Sequence, residues 1–158
     1  MRIEEFSAEN VLPFTLDRMI QIVKRHSRRP DMRMLTGQIV QHAPDQLRAI
    51  HLFVRKYVTT IGDILGVETV QSPAVTLEIG GDCDDQAVLV ATMAASIGLK
   101  PELVLLKTQG VDWDHVYCQV YKGFPSPVAC DTTWLYGMER ESTEKRVIPI
   151  FGEEEPFS

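Results

Sequence analysis

Gly80-Gly81-Asp82-Cys83-Asp84-Asp85-Gln86-Ala87 is the stretch on which the reading of this chain turns. Two glycines suit a tight turn with close backbone approach, and the turn delivers Cys83 to the start of a helix. A cysteine there faces unpaired backbone N–H groups and the positive end of the macrodipole, both of which favour thiolate over thiol. From Ala87 to Ile97 nearly every position is apolar or small, so the helix is expected to be buried on all sides. Gly98 then offers a left-handed stop, and Pro101 prevents resumption.

Downstream, Leu103-Val104-Leu105-Leu106 is a short apolar run bounded by Pro101 and a polar loop, hence a buried strand. From His115 to Tyr121 the pattern alternates, with His115, Tyr117, Gln119 and Tyr121 on one face and Val116, Cys118 and Val120 on the other. A turn-rich connection through Gly123 and Pro125 leads to a return strand over Val128 to Thr132 that carries Asp131. A charged loop around Glu139 to Lys145 precedes a further strand over Val147 to Phe151.

Upstream the pattern is helical. Met1 to Pro13 lacks periodicity and reads as an extended arm, after which Leu16, Met19, Ile20 and Val23 mark a surface helix ending near His26. Asp31 is expected to cap a second helix running to about Gln41. Pro44 and Asp45 start a third, with the stripe Leu47, Ile50, Val54, Tyr57 and Val58. Gly62 to Gly66 is a connector, Val67 to Val70 a short extended piece, and Ser72-Pro73 opens one helical turn through about Glu78. At 158 residues one domain is expected, with a helical part over 1–60, a core carrying the chemistry over 61–151 and an acidic tail over 152–158. Helices, then a buried helix, then consecutive strands is the order of an α+β domain with an antiparallel sheet.

Cys83 at a helix start, His115 at a strand start and Asp131 on the next strand are the three groups that acyl chemistry requires. A thiol attacks carbonyl carbon as thiolate, an imidazole must take its proton and return it to the leaving group, and an acceptor must hold the imidazole in the right tautomer. Adjacent antiparallel strands place His115 and Asp131 side by side. Asp84 and Asp85 oppose a thiolate while an imidazolium at His115 favours it, and the expectation is that the imidazolium outweighs them.

Gly81 to Asp85 with Ala87, a helix closed by Gly98, His115 opening a strand and Asp131-Thr132-Thr133 after a hairpin together resemble the transglutaminase-like superfamily of the papain-like fold. More narrowly, Gln71-Ser72-Pro73, Thr76-Leu77 and Gly80 to Asp85 are similar to small stand-alone transglutaminase-like proteins of bacteria and their phages. The likeness covers about Val54 to Thr133. It implies a Cys83-His115-Asp131 site acting on amide or thioester carbonyls through an acyl-enzyme. It also raises the matter of the oxyanion donor: papain-like enzymes often place a glutamine a few residues before the cysteine, and Gln71 is the nearest upstream candidate, with the Cys83 N–H as second donor. His115 is followed by Val116 and Asp131 by Thr132, where an aromatic and a proline are common in the family. Trp113, Trp134 and Tyr117 are candidates to line a substrate cleft.

Each of these residues has a plainer reading. Cys83 fits a small buried hydrophobe, His115 an ordinary strand histidine, Asp131 a hairpin cap, the tryptophans core packing. His26, His42 and His51 lie in the helical part, with nothing tying them to the site. A zinc site from Cys83, His115, Cys118 and Cys130 is disfavoured because His115 and Cys118 point to opposite strand faces and paired Cys-x-x-Cys knuckles are missing. Neither metal nor cofactor is therefore expected. The formal charge of -6 argues against nucleic acid despite the basic run Lys24, Arg25, Arg28, Arg29 and Arg33. The lack of an apolar leader or spanning segment argues against a membrane, and the odd count of three cysteines for free thiols in the cytoplasm. The expected partners are a peptide or protein amide substrate or, for a catalytically silent module of the same fold, a phage or other assembly.

Overall fold

The computed structural model describes residues 8–61, 70–110, 112–123 and 125–152. Five helices precede four strands: α1 (Ala8–His26), α2 (Pro30–Val40), α3 (Gln46–Tyr57), α4 (Pro73–Ile79), α5 (Cys83–Ser96), β1 (Lys100–Lys107), β2 (His115–Tyr121), β3 (Val128–Cys130) and β4 (Glu144–Pro149). The strands form one antiparallel sheet in the order β3-β2-β1-β4. The fold is α+β. Among the described residues, no helix is long and apolar enough to cross a membrane.

Helix α5 is the hub. Every residue from Asp85 to Ser96 is buried, and α5 touches α1, α2, α3, α4, β1 and β2. It owes this position to composition, because a helix with no polar face loses stability wherever it is wetted. Side chains such as Leu89 and Met93 at 0% exposure each contribute about 1.5–3 kcal/mol by leaving water. Under α5 the sheet presents Leu103, Leu105, Val116, Cys118, Val120 and Cys130. The other face carries a smaller cluster of Val104, Leu106, Tyr117 and Ala129, so the alternation read in β2 corresponds to two buried faces rather than one.

Several boundaries differ from expectation. Helix α1 begins at Ala8, inside the stretch expected to be an extended arm; periodicity reports a buried face, not helicity itself, so a segment without a stripe is not thereby extended. Pro30 occupies the first turn of α2 and Arg29 the cap position, and Asp31 instead pairs with Arg29 and accepts the Met32 N–H. Asp45 does cap α3, accepting the Arg48 N–H at 3.1 Å. Leu47, Ile50, Val54 and Val58 are buried, whereas Tyr57, the last residue of α3, is 61% exposed beside Phe53. Strand β4 starts at Glu144: its charged residues lie on a sheet edge, where charge is tolerated and discourages further pairing, and Ile150 and Phe151 enter the core just beyond it. Strand β3 stops at Cys130, so Asp131 is the first residue past the strand. The Gly62–Gly66 connector, the extended piece up to Thr69 and the acidic run Glu153–Glu155 lie outside the described residues.

The turn before α5 explains both glycines. Gly80 has φ 91°, and a Cβ there would meet the Thr59 carbonyl oxygen at 2.3 Å; one on Gly81 would meet the Asp85 Cβ at 2.5 Å. The approach is close because Gly81 pairs with the segment after α3: its N–H donates to Thr59 O at 3.0 Å and its carbonyl accepts the Ile61 N–H at 3.1 Å. Gly98, at φ 86°, has nothing within 4 Å of the same position. Gly98→Ala is therefore expected to cost about 1 kcal/mol from backbone strain, and Gly80→Ala about 3 kcal/mol because a clash is added. Urea unfolding of the two variants checks this; equal losses would show that the strap to Thr59 does not constrain the turn.

Candidate active site

Cys83 is placed by a reciprocal pair of aspartates. The Asp85 N–H donates to Asp82 Oδ1 at 3.1 Å and the Asp82 N–H donates to Asp85 Oδ2 at 3.2 Å, closing a capping box at the start of α5. The second Asp85 oxygen accepts the Gln71 N–H at 2.8 Å. Asp85 is thereby turned away from the sulfur, while Asp84 is not: Cys83 Sγ donates to Asp84 Oδ1 at 3.6 Å. The backbone N–H of Val116 lies near enough to the same sulfur to favour its anion, which puts Cys83 by the first residues of β2, the strand that His115 opens.

His115 Nε2 lies 2.7 Å from Asp131 Oδ2, with both side chains largely buried. Asp131 binds at every oxygen. Oδ1 accepts the Thr133 N–H at 3.0 Å and the Thr133 hydroxyl at 2.6 Å, and Oδ2 accepts Arg140 Nε at 3.2 Å as well as His115. Burial alone would raise the Asp131 carboxyl, but the hydrogen bonds from His115 and Thr133 outweigh it and hold the group at about 2. With Nε2 given to Asp131, Nδ1 is the ring nitrogen left to accept a proton from a thiol.

The electrostatics of the sulfur differ from expectation. Burial pushes the Cys83 thiol up and the Asp84 carboxylate adds to it; the Val116 N–H acts in the opposite direction and does not offset them. Burial and Asp84 together favour the thiol over its anion. Cys118 and Cys130 are also free but buried under α5, and burial raises both. Among the described residues no group of three or more His, Cys, Asp or Glu is arranged to hold a metal ion.

Gln71 does not present its amide to the sulfur. Its Nε2 donates to Gly80 O at 2.8 Å and Thr76 Oγ1 at 3.3 Å, which occupies both hydrogens in bracing the turn. The Cys83 N–H, at the first helical position, has no acceptor within α5. Of the three candidate cleft residues, Tyr117 is buried at 1% exposure with its hydroxyl on Glu139, so it lines no open surface. Trp113 packs on the core with the Lys107 ammonium over its ring. Trp134 is 40% exposed beside the Asp131 turn, its ring 4.6 Å from the Arg140 guanidinium.

Three residues that the sequence reading left out belong to this site. Arg140 touches the Asp131 carboxylate itself. Gln86 lies one helical turn from Cys83; its Oε1 accepts the Thr132 hydroxyl at 2.7 Å, while its amide donates to Thr60 Oγ1 at 2.8 Å and Gly81 O at 3.0 Å. It couples the cysteine turn to the aspartate turn. His51, on α3, reaches the backbone of that aspartate turn. A buried glutamine in the first turns of an otherwise apolar helix was a visible signal; His51, 80 residues from Asp131, gave none, and Arg140, nine residues from it, was one charge among several in a charged loop.

No family model matches the chain, and no curated protein is significantly similar to it. A solved structure named "a Putative Cysteine Protease from Cytophaga hutchinsonii" is similar over 89% of this chain, with a TM-score of 0.59 and 16% sequence identity. The chain has a cysteine-protease-like fold. It spans 59% of the length of that larger chain, and at such low identity the likeness is one of fold.

The linkage of Asp131 fixes its effect on stability. A carboxyl held at about 2 when folded, and near its ordinary 3.8 when unfolded, stabilises the fold above about pH 4 and loses that contribution as the pH falls toward 2. Wild type is thus expected to lose roughly 2 kcal/mol more than Asp131→Asn between pH 5 and pH 2, measured by urea unfolding. Parallel curves would mean that Asp131 is not held as its contacts imply.

Proposed function

We propose that the chain is a cysteine-dependent enzyme of transglutaminase-like type, acting on amide, peptide or thioester carbonyls through an acyl-enzyme. The observation that carries the reading is the 2.7 Å bond from His115 Nε2 to Asp131 Oδ2, on a strand whose next N–H lies by the Cys83 sulfur and favours its anion. In this reading His115 Nδ1 takes the Cys83 proton as the sulfur adds to the carbonyl carbon. The oxyanion forms near the start of α5, where the Cys83 N–H and the helix dipole favour negative charge. His115 returns the proton to the leaving amine, leaving a thioester on Cys83, and water or a second amine discharges it. Burial and Asp84 favour the thiol over its anion, so in this reading deprotonation accompanies attack and is not completed beforehand. Asp131 keeps the ring in the tautomer this requires.

A second reading is a catalytically silent module of the same fold that binds a protein partner or an assembly. Two observations favour it: the Cys83 thiol is pushed up by burial and Asp84, and the Gln71 amide is committed to Gly80 and Thr76. The two readings part on a covalent intermediate. Intact-mass spectrometry after mixing with a panel of acyl thioesters and peptide amides at pH 8 is expected to find an adduct on Cys83. It should be absent in Cys83→Ala and formed at least about 10²-fold more slowly in His115→Ala. Wild type without an adduct across the panel, or His115→Ala acylating at the wild-type rate, would favour the module.

A further inference from the structure

Most of helix α3 precedes Val54, where the family likeness begins, yet the helix and its cap touch the turn that carries Asp131 at three places. Tyr136 Oη donates to Asp45, the α3 cap, at 3.1 Å. His51 Nε2 lies 2.9 Å from the Asp131 carbonyl and 3.0 Å from the Trp134 carbonyl. Arg55 Nη1 donates to that same Trp134 carbonyl at 2.5 Å. The turn is closed on itself by the Trp134 N–H on Asp131 O at 2.9 Å, so His51 grips both of its ends with one N–H.

Two carbonyls can share Nε2 only if it carries the hydrogen, which fixes the tautomer of a ring that is 5% exposed. The ring has little freedom: Tyr136 meets it edge-on at 5.4 Å, and α3 is held to the core by the neighbouring Leu47, Ile50 and Val54. A histidine this buried without a functional partner would sit poorly beside a stripe of aliphatic residues. The donor is aimed instead at the backbone of the residue whose carboxylate orients His115.

We propose that His51 is a positioning residue for the proposed Cys83-His115-Asp131 chemistry, acting through the Asp131 backbone, and that α3 is thereby part of the active-site apparatus. This rests on the enzymatic reading above only for its kinetic consequence. The anchoring of Asp131, and through it of His115, is independent of turnover. Displacing a reacting or orienting group by about 1 Å costs on the order of 10² in rate, and the carbonyl contacts hold the Asp131 main chain against such a shift.

The test uses the full chain carrying His51→Leu, His51→Gln and, as a control for destabilisation alone, Ile22→Val in α1. Two quantities are read: kcat and KM on whichever acyl substrate labels Cys83, and the nitrogen-15 and Nε2–H resonances of the His115 ring. His51→Leu is expected to lower kcat about 10²-fold with KM within about twofold, and to lose the hydrogen-bonded Nε2–H signal of His115. His51→Gln, which places an amide N–H near the same point, should recover most of both. Ile22→Val should change neither while lowering the unfolding midpoint. If His51→Leu does not fold, His51→Asn, too short to reach both carbonyls, replaces it with the same expectations. The proposal is overturned if the His115 resonances and kcat survive the loss of the donor, if Gln fails to recover them, or if Ile22→Val reproduces the effect. Where wild type turns over no substrate, the resonances alone decide. That outcome removes the enzymatic reading and leaves the positioning role to stand or fall on His115.

Discussion

The buried carboxylate of Asp85 is the constraint on which the rest of the site depends. It accepts the Asp82 and Gln71 N–H groups at once, tying the start of α5 to the segment before α4. Gly81 must lack a side chain because Asp85 fills the space it would need, and Gly80 must lack one because the turn is drawn against Thr59. Glycines and aspartates that read in the sequence as a nucleophile turn are thus first a packing solution. The direction of Cys83 is the consequence of that solution.

A second convergence holds the other half of the site. The Asp131 turn receives His115 and Arg140 on its carboxylate, Gln86 through Thr132, and His51 on its backbone. These partners come from β2, the loop after β3, α5 and α3, so the aspartate is fixed by four separate parts of the chain. Sharing a carboxylate between an imidazole and a guanidinium has an electrical effect as well as a geometric one. Part of the Asp131 charge is matched by Arg140, while Asp84 stands beside the sulfur and opposes its anion.

Local chemistry was legible in the sequence where it was local. The all-apolar run of α5, the glycine turn before it, the alternation in β2 and the Asp45 cap each express a rule that operates over a few residues, and each is present. Tyr57 and Asp31 were misplaced at helix ends, where an apolar stripe or a capping residue type alone does not decide burial or the start of the first turn. The extended reading of Met1 to Pro13 failed from Ala8 onward for a different reason, since helicity does not require a visible stripe. Gln71 was near enough in sequence to serve as an oxyanion donor, but its amide is closer to the Gly80 carbonyl. His51 was invisible because the Asp131 turn, 80 residues away, is brought to it only by tertiary folding; Arg140 is nine residues from Asp131 but stands in a charged loop whose pairing the sequence does not specify.

Both halves of the site lead to one central claim, that Cys83 is delivered as a thiol to a His115 already anchored on Asp131. The pH dependence of the iodoacetamide alkylation rate of Cys83, in wild type, Asp84→Asn and His115→Ala, tests this most directly. The expected result is a wild-type rate that rises only above the ordinary thiol range near pH 8.5, an inflection that moves down in Asp84→Asn, and little change below neutral pH in His115→Ala. A rate that is already substantial below neutral pH and collapses in His115→Ala would contradict it, showing instead a preformed thiolate–imidazolium pair.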